Sequence, residues 1–102
     1  MVKKDVIKSH IENLVDGIEN RYHVDRATVI EEEIKNGVRF GIHVKLGEKE
    51  MTFYRDYMKT AHNLYELREK GWYIKDKEEY GRYRTAGDVM KIFSQRVHIA
   101  FE

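Results

Sequence analysis

The feature that most constrains the fold is a strict alternation of apolar and other side chains in the stretch "VRFGIHVKL". Every second residue of this stretch is apolar: Val38, Phe40, Ile42, Val44 and Leu46. Successive side chains of a β-strand point to opposite faces of the sheet, so a period of two is typical of a strand with one buried face. The pattern predicts a strand with its apolar residues in a core and with Arg39, Gly41, His43 and Lys45 facing water.

The preceding turn contains Asn36-Gly37, the strongest short signal for a hairpin. A two-residue loop formed by those two residues would place Ile30 and Ile34 on the polar face. A three-residue loop of Lys35, Asn36 and Gly37, with Gly37 in the left-handed conformation, instead pairs Ile34 with Val38 and Ile30 with Ile42. We therefore predict a bulged hairpin between the first two strands.

The following turn is predicted at Gly47-Glu48. A two-residue loop there pairs Val44 with Met51, Ile42 with Phe53 and Lys45 with Glu50, which agrees with the apolar and polar faces alike. In the same register Tyr54 lies opposite Gly41, where its ring can cover the bare backbone. These pairings predict a three-stranded antiparallel meander.

Three helices complete the prediction. The first covers residues 6–22, where the apolar residues recur at helical spacing, and the second covers Asp56 to Lys70, followed by Gly71. After a short extended piece around Trp72, a third helix begins at Thr85. Its apolar stripe consists of Ala86, Val89, Met90, Phe93, Val97 and Ala100. The fold class predicted for residues 1–102 is a single α+β domain with the order helix, three strands, helix, short strand, helix, in which helices cover one sheet face.

The order of the first five predicted elements, across residues 6–70, resembles that of the double-stranded RNA-binding domain. In that family a lysine-rich start of the second helix contacts phosphates, and a longer loop between the first strands enters the minor groove. Here the second predicted helix begins near Arg55 and Lys59 without a lysine cluster, and the loop from Lys35 to Gly37 is tight. The resemblance therefore implies a topology, and no functional residue is carried over from it.

Composition excludes several classes of protein. The chain has no cysteine, which excludes disulfides and thiolate chemistry, and its formal net charge is +1, which excludes a protein-wide field that attracts nucleic acid. Its hydrophobic fraction of 41% is sufficient for a packed core although 36% of the residues are charged. No run approaches the roughly 20 apolar residues of a membrane span. We expect a cytoplasmic protein without a membrane partner.

The sequence does not predict an enzyme, a metal site or a cofactor. No two of the five histidines have the spacing of metal ligands, and the chain has no glycine-rich phosphate loop. His43 is the exception worth testing, because it lies next to Thr52 on the polar sheet face, where Glu31 or Tyr54 could join it as a ligand or general base. A small enzyme or ligand-binding domain near His43 is therefore kept as an alternative.

The stretch "YGRYR", residues 80–84, combines aromatic and basic residues after a run of carboxylates. Tyrosine, tryptophan and arginine are the usual anchors of protein interfaces. The same residue types also bind nucleic acid, since aromatic rings stack on bases and arginines contact phosphates. The leading hypothesis is a small non-enzymatic binding protein that acts as an inhibitor or adaptor, of the kind encoded by phages and mobile elements. Its predicted partner-binding residues are Trp72, Tyr73, Tyr80, Arg82, Tyr83 and Arg84.

Three further interpretations stay open at this point. His43 and Tyr54 form a second candidate surface. The region from Tyr80 to Arg96 is an alternative nucleic-acid-binding surface, and an exposed aromatic strip can also pair with its own copy in a homodimer. Trp72 fits either the core or the centre of an interface.

Overall fold

The computed structural model describes residues 2–22, 24–62, 64–68, 71–74 and 87–91. The described elements are α1 (Lys4–Tyr22), β1 (Arg26–Ile34), β2 (Gly37–Leu46), β3 (Lys49–Ala61), β4 (Leu64–Leu67) and β5 (Tyr73–Ile74). The strands form one antiparallel sheet in the order β1, β2, β3, β4, and β5 pairs with β3. Residues 87–91 are helical. The predicted α+β class is confirmed, although the sheet has more strands than the three predicted.

α1 buries the stripe that its spacing predicts, namely Ile7, Ile11, Val15 and Ile18. These side chains belong to the same core as the apolar residues of β2 and β3. Val89 and Met90 of the short helical segment are fully buried in that core as well. Both described helical segments therefore contribute buried apolar residues to the core on one face of the sheet. Neither of them is long and apolar enough to cross a membrane.

The register between β2 and β3 agrees with the sequence-based prediction. Ile42 pairs with Phe53, Val44 with Met51 and Lys45 with Glu50. Tyr54 lies opposite Gly41, and a Cβ atom added to Gly41 would lie 2.7 Å from the tyrosine ring. The absence of a side chain at Gly41 thus lets the Tyr54 ring lie against the sheet.

The predicted bulged hairpin is wrong. β1 ends at Ile34, which pairs with Gly37, so the loop consists of Lys35 and Asn36 alone. Asn36 has the positive φ of 60°, a conformation that asparagine adopts more readily than most residues. Gly37 instead belongs to β2, where an added Cβ atom would overlap the carbonyl oxygen of Tyr57 on β3. The close approach of β3 therefore requires a residue without a side chain at position 37.

This register differs by one residue from the predicted one and exchanges the faces of β1. Glu31 now pairs with Phe40 and Glu33 with Val38, on the face that carries α1. Lys4 at the start of α1 lies 3.4 Å from a carboxylate oxygen of Glu31 and 3.5 Å from one of Glu33. Ile30 and Ile34 lie on the opposite face. The two carboxylates thus meet a basic group of the helix rather than the apolar centre of the core.

The predicted second helix between Asp56 and Lys70 is also wrong. β3 continues to Ala61, and β4 follows at Leu64–Leu67. Long-range pairing outweighs the helical spacing here, because Tyr57 pairs with Val38 and the Asp56 carboxylate binds side chains of two other strands instead of capping a helix. The topology of the double-stranded RNA-binding domain requires a helix at this place, so the resemblance is not maintained.

The rest of the predicted order is found in part. β5 corresponds to the short extended piece after Gly71. Residues 87–91 lie within the predicted third helix, and its remaining residues lie outside the described ranges.

Substitution of Gly37 by alanine is expected to lower the free energy of unfolding by about 1 to 3 kcal/mol, because a methyl group has no room beside Tyr57. Gly17 on α1 is the matched control, since a Cβ atom added there would meet no neighbouring part of the chain within 4 Å. Gly17→Ala should raise the free energy of unfolding by roughly 0.5 to 1 kcal/mol through helix propensity. Urea denaturation of both variants measures the two effects, and equal shifts of the same sign would contradict the hairpin geometry.

Candidate functional site

The sheet face that α1 does not cover carries polar side chains of three strands, and we call it the open face, although Tyr54, Asp56 and Tyr73 are buried on it. Its central residues are Arg39, Gly41 and His43 of β2, Thr52, Tyr54 and Asp56 of β3, and Tyr73 of β5. They share a face because residues paired across antiparallel strands point the same way. The alternation that buries Phe40 and Ile42 therefore brings these polar side chains together.

Asp56 lies at the centre of this face and is 5% exposed, which makes it the one buried charged residue in the described ranges. Arg39 donates from Nε to Oδ1 at 2.8 Å and from Nη2 to Oδ2 at 3.4 Å. The hydroxyl of Tyr73 donates to Oδ1 at 2.8 Å. A carboxylate taken out of water is tolerated when it is paired and hydrogen-bonded, as it is here.

The pKa values of these groups follow from their contacts. Burial by itself would raise the pKa of Asp56, but the hydrogen bonds from Arg39 and Tyr73 and the Arg39 charge together hold it below the ordinary aspartate value. Burial raises the pKa of the Tyr73 phenol, and the hydrogen bond to Asp56 raises it further. Asp56 is therefore a stable anion and Tyr73 a stable hydrogen-bond donor over the physiological range.

Arg39 also contacts both tyrosine rings of the open face. Its guanidinium carbon lies 5.8 Å from the ring centroid of Tyr54 and 5.8 Å from that of Tyr73, and the two rings lie 5.9 Å apart. Arg39 Nη1 lies 3.7 Å from a carboxylate oxygen of Glu32 on β1, and the Arg39 side chain stays 24% exposed. We call Arg39, Tyr54, Asp56 and Tyr73 the arginine-tyrosine cluster. Its geometry is fixed by contacts from three strands. Tyr54, Asp56 and Tyr73 are buried, so Arg39 is the member of the cluster whose side chain reaches solvent.

Acid should destabilise the fold through Asp56. The folded pKa of this carboxyl lies below the unfolded value of about 3.9, so its contribution is complete above roughly pH 4 and is lost as the pH falls through the folded pKa. The free energy of unfolding of Asp56→Asn should therefore fall less steeply between about pH 5 and pH 2 than that of the wild type. Asp16→Asn, at an exposed position of α1, is the control. Parallel curves for wild type and Asp56→Asn would exclude this role of Asp56.

His43 lies next to Thr52, as the predicted register requires, but its other neighbour is Glu50 rather than Glu31 or Tyr54. Its Nδ1 lies 2.7 Å from Thr52 Oγ1, and its Nε2 lies 3.6 Å from a carboxylate oxygen of Glu50. A hydroxyl, an imidazole and a carboxylate in series can activate a nucleophile, but 3.6 Å is too long for a hydrogen bond and the Glu50 side chain is 56% exposed. Glu31 lies on the opposite face, and Tyr54 belongs to the arginine-tyrosine cluster. Thr52, His43 and Glu50 therefore form a polar edge of the open face.

The structure separates the predicted partner-binding residues. Trp72 is 1% exposed and packs edge to face on Phe53 at a centroid distance of 5.2 Å, so its ring lies in the core. Tyr73, the next residue along the strand, points to the other face and joins the arginine-tyrosine cluster. Tyr80, Arg82, Tyr83 and Arg84 lie outside the described residues.

Arg39 and Asp56 are not among the residues predicted from the sequence, although they form the best-connected pair of the candidate site. The signal was present, because extending the correctly predicted register of β2 and β3 by one more polar pair places Asp56 directly opposite Arg39. The predicted helix began at Asp56 and removed that pair from consideration.

The described residues contain no group of three or more histidine, cysteine, aspartate or glutamate side chains that could hold a metal ion. Comparison of the chain with protein-family models, with curated proteins and with solved structures found no significant match.

Proposed function

We propose that this chain is a small intracellular, non-enzymatic binding protein that contacts a protein partner with its open face and acts as an inhibitor or adaptor, of the kind encoded by phages and mobile elements. The observation that supports it best is the arginine-tyrosine cluster. Arginine and tyrosine are enriched among the residues that contribute most to protein interfaces. Within the cluster Arg39 is the member that reaches solvent, and the buried rings of Tyr54 and Tyr73 hold its guanidinium in place.

Preorganisation is the physical reason why such a cluster suits binding. A free arginine side chain loses considerable rotamer entropy when a partner immobilises it. Arg39 is already held by Asp56 and by two tyrosine rings, so little of that entropy is left to lose. Its exposed part can therefore contact a partner at a low entropic cost.

The surroundings of the cluster provide the remaining features of an interface. Ile30 and Ile34 of β1 lie half-buried on the same face, and His43 and Thr52 continue it at the other end. Half-buried aliphatic residues beside a partly exposed arginine and histidine make a mixed surface, which is typical of interfaces that form and dissociate. Tyr80, Arg82, Tyr83 and Arg84 stay predicted contributors.

The proposal can be tested by affinity capture from an extract of the source organism. The open-face variant is Ile30→Thr with His43→Ala, and the control is Lys8→Ala with Glu12→Ala on the exposed side of α1. Proteins retained by the wild type and by the control, but lost with the open-face variant, are expected. Each variant is compared only if its thermal unfolding curve matches the wild type.

Two results would contradict the proposal. Equal retention by all three proteins would show that the open face is not the interface. Salt-dependent binding of labelled DNA or RNA, measured by fluorescence anisotropy and lost on Arg82→Ala with Arg84→Ala, would favour a nucleic-acid-binding protein instead.

A further inference from the structure

Arg55 on β3 places a cationic side chain on the core face of the sheet. It pairs with Phe40, so its side chain lies on the sheet face that carries the core. Its guanidinium carbon lies 4.8 Å from the centroid of the Trp72 ring. Its Nε atom is buried and has no hydrogen-bond partner. A positive group is thus partly withdrawn from water beside the fully buried rings of Trp72 and Phe40.

Comparison with Arg39 shows what Arg55 lacks. Both guanidinium groups lie over aromatic rings, but Arg39 is also hydrogen-bonded to Asp56 and lies near Glu32. Within the described part of the chain, the guanidinium of Arg55 has neither a hydrogen bond nor an ion pair. An aromatic face attracts a cation, yet it does not replace the acceptors that a withdrawn guanidinium loses from water. The Arg39 guanidinium therefore has acceptors within the protein, whereas the Arg55 guanidinium lacks them among the described residues.

We propose that Arg55 and Trp72 form a binding site for a carboxylate, supplied by an aspartate or glutamate side chain of a protein partner. The inference rests on the proposed function in taking the partner to be a protein. A guanidinium presents parallel N–H groups that match the two oxygens of a carboxylate. Arg55 is half-buried, so its outer nitrogens can meet such a ligand while Trp72 holds the plane of the group.

The charge of the ligand follows from the surroundings. Phe40, which pairs with Arg55, and Trp72, whose ring lies under the guanidinium, carry no charge. One positive charge is neutralised by one carboxylate, whereas a phosphate dianion would retain negative charge in an apolar setting. A buried anion with excess charge is strongly disfavoured. A carboxylate is therefore the better match.

Trp72 is the single tryptophan of the chain, so its fluorescence reports directly on the site. The experiment titrates the wild-type protein with sodium acetate and with a glutamate-rich peptide at constant ionic strength, and uses sodium phosphate and a lysine-rich peptide for comparison. A saturable change with acetate and with the glutamate-rich peptide is expected. Arg55→Met should weaken both by about tenfold or more, while Arg26→Met, at an exposed position of β1, should bind as the wild type does.

Several results would overturn the inference. They are the absence of a saturable change, an equal change in Arg55→Met, and tighter binding of phosphate than of acetate. A melting temperature of Arg55→Met as low as that of Arg39→Met would show that Arg55 already has an internal partner.

The outcome is separable from that of the capture experiment. The variant Ile30→Thr with His43→Ala alters the open face and leaves Arg55 and Trp72 unchanged, so it should respond to acetate as the wild type does. A saturable response together with failed capture would overturn the open-face interface and leave the carboxylate site standing. Successful capture without a response to acetate would overturn the site alone.

Discussion

Replacement of Arg39 by methionine is expected to lower the free energy of unfolding by about 3 to 5 kcal/mol. The substitution leaves the Asp56 carboxylate, 5% exposed, without its strongest donor and its closest counter-charge. Tyr73 would still donate one hydrogen bond, and Arg68 Nη1 would remain 4.0 Å from Oδ2. A neutral phenol and a longer, exposed ion pair do not replace the two hydrogen bonds from Arg39. Urea denaturation at neutral pH measures the loss.

Two control variants identify the cause. Arg26→Met removes a positive charge from an exposed position of β1 and should change the free energy of unfolding by no more than about 0.5 kcal/mol. Adding Asp56→Asn to Arg39→Met removes the buried carboxylate that has lost Arg39, so the double variant should be more stable than Arg39→Met alone. If the double variant is instead less stable by the sum of the two single losses, the two residues do not act as a pair.

Replacement of Trp72 by alanine is expected to cost about 3 to 5 kcal/mol, the usual range for a large aromatic residue truncated in a core. Trp72 is 1% exposed, packs on Phe53 and lies beneath the Arg55 guanidinium, so the substitution removes several contacts at once and leaves a cavity. Trp72→Phe retains an aromatic ring and should lose less. Thermal and urea unfolding of both variants test this expectation, and a loss below about 1 kcal/mol for Trp72→Ala would place the ring outside the core.

The open-face proposal and the Arg55 proposal concern opposite sides of one strand. Asp56 and Arg55 are consecutive, so the pleat of β3 sends one side chain to the open face and the other to the core face. The Asp56 carboxylate has hydrogen-bond donors within the protein, so we expect its pairing to contribute to stability. The Arg55 Nε has no acceptor in the described chain. We therefore expect replacement of Arg55 to affect ligand binding more than folding.

The stripe of α1 and the pairing of β2 with β3 could be predicted because both depend on local patterns. Four apolar residues at helical spacing define one helix face whatever the partner is. A two-residue turn at Gly47 and Glu48 aligns Ile42 with Phe53 and Val44 with Met51. The position of Tyr54 over Gly41 followed from the same alignment.

The hairpin between β1 and β2 could not be predicted from its own residues. Gly37 was interpreted as a turn residue, because glycine after asparagine favours a turn. Its actual role depends on Tyr57, twenty positions later, whose carbonyl oxygen occupies the place of a side chain. Only the third strand shows which of the two residues belongs to the turn.

The segment after Asp56 illustrates the same limit for the candidate site. Tyr57, Ala61, Leu64 and Tyr65 recur at a spacing that a helix can use, yet pairing with Val38 and Arg39 holds the chain extended. Hydrogen bonds between Asp56, Arg39 and Tyr73 join residues 17 positions apart on either side. Such contacts have no signature in a short window of sequence.

The sequence by itself determined the α+β class, the apolar stripe of α1 and the two faces of β2, because these properties follow from the period of the side chains along one element. Tertiary structure alone decided the register of β1, the extension of β3 and the placement of Trp72 in the core. It also decided that Arg39 is paired and Arg55 is not. These outcomes depend on which distant groups meet, and the free energy of burying a charge or a ring is set by those neighbours.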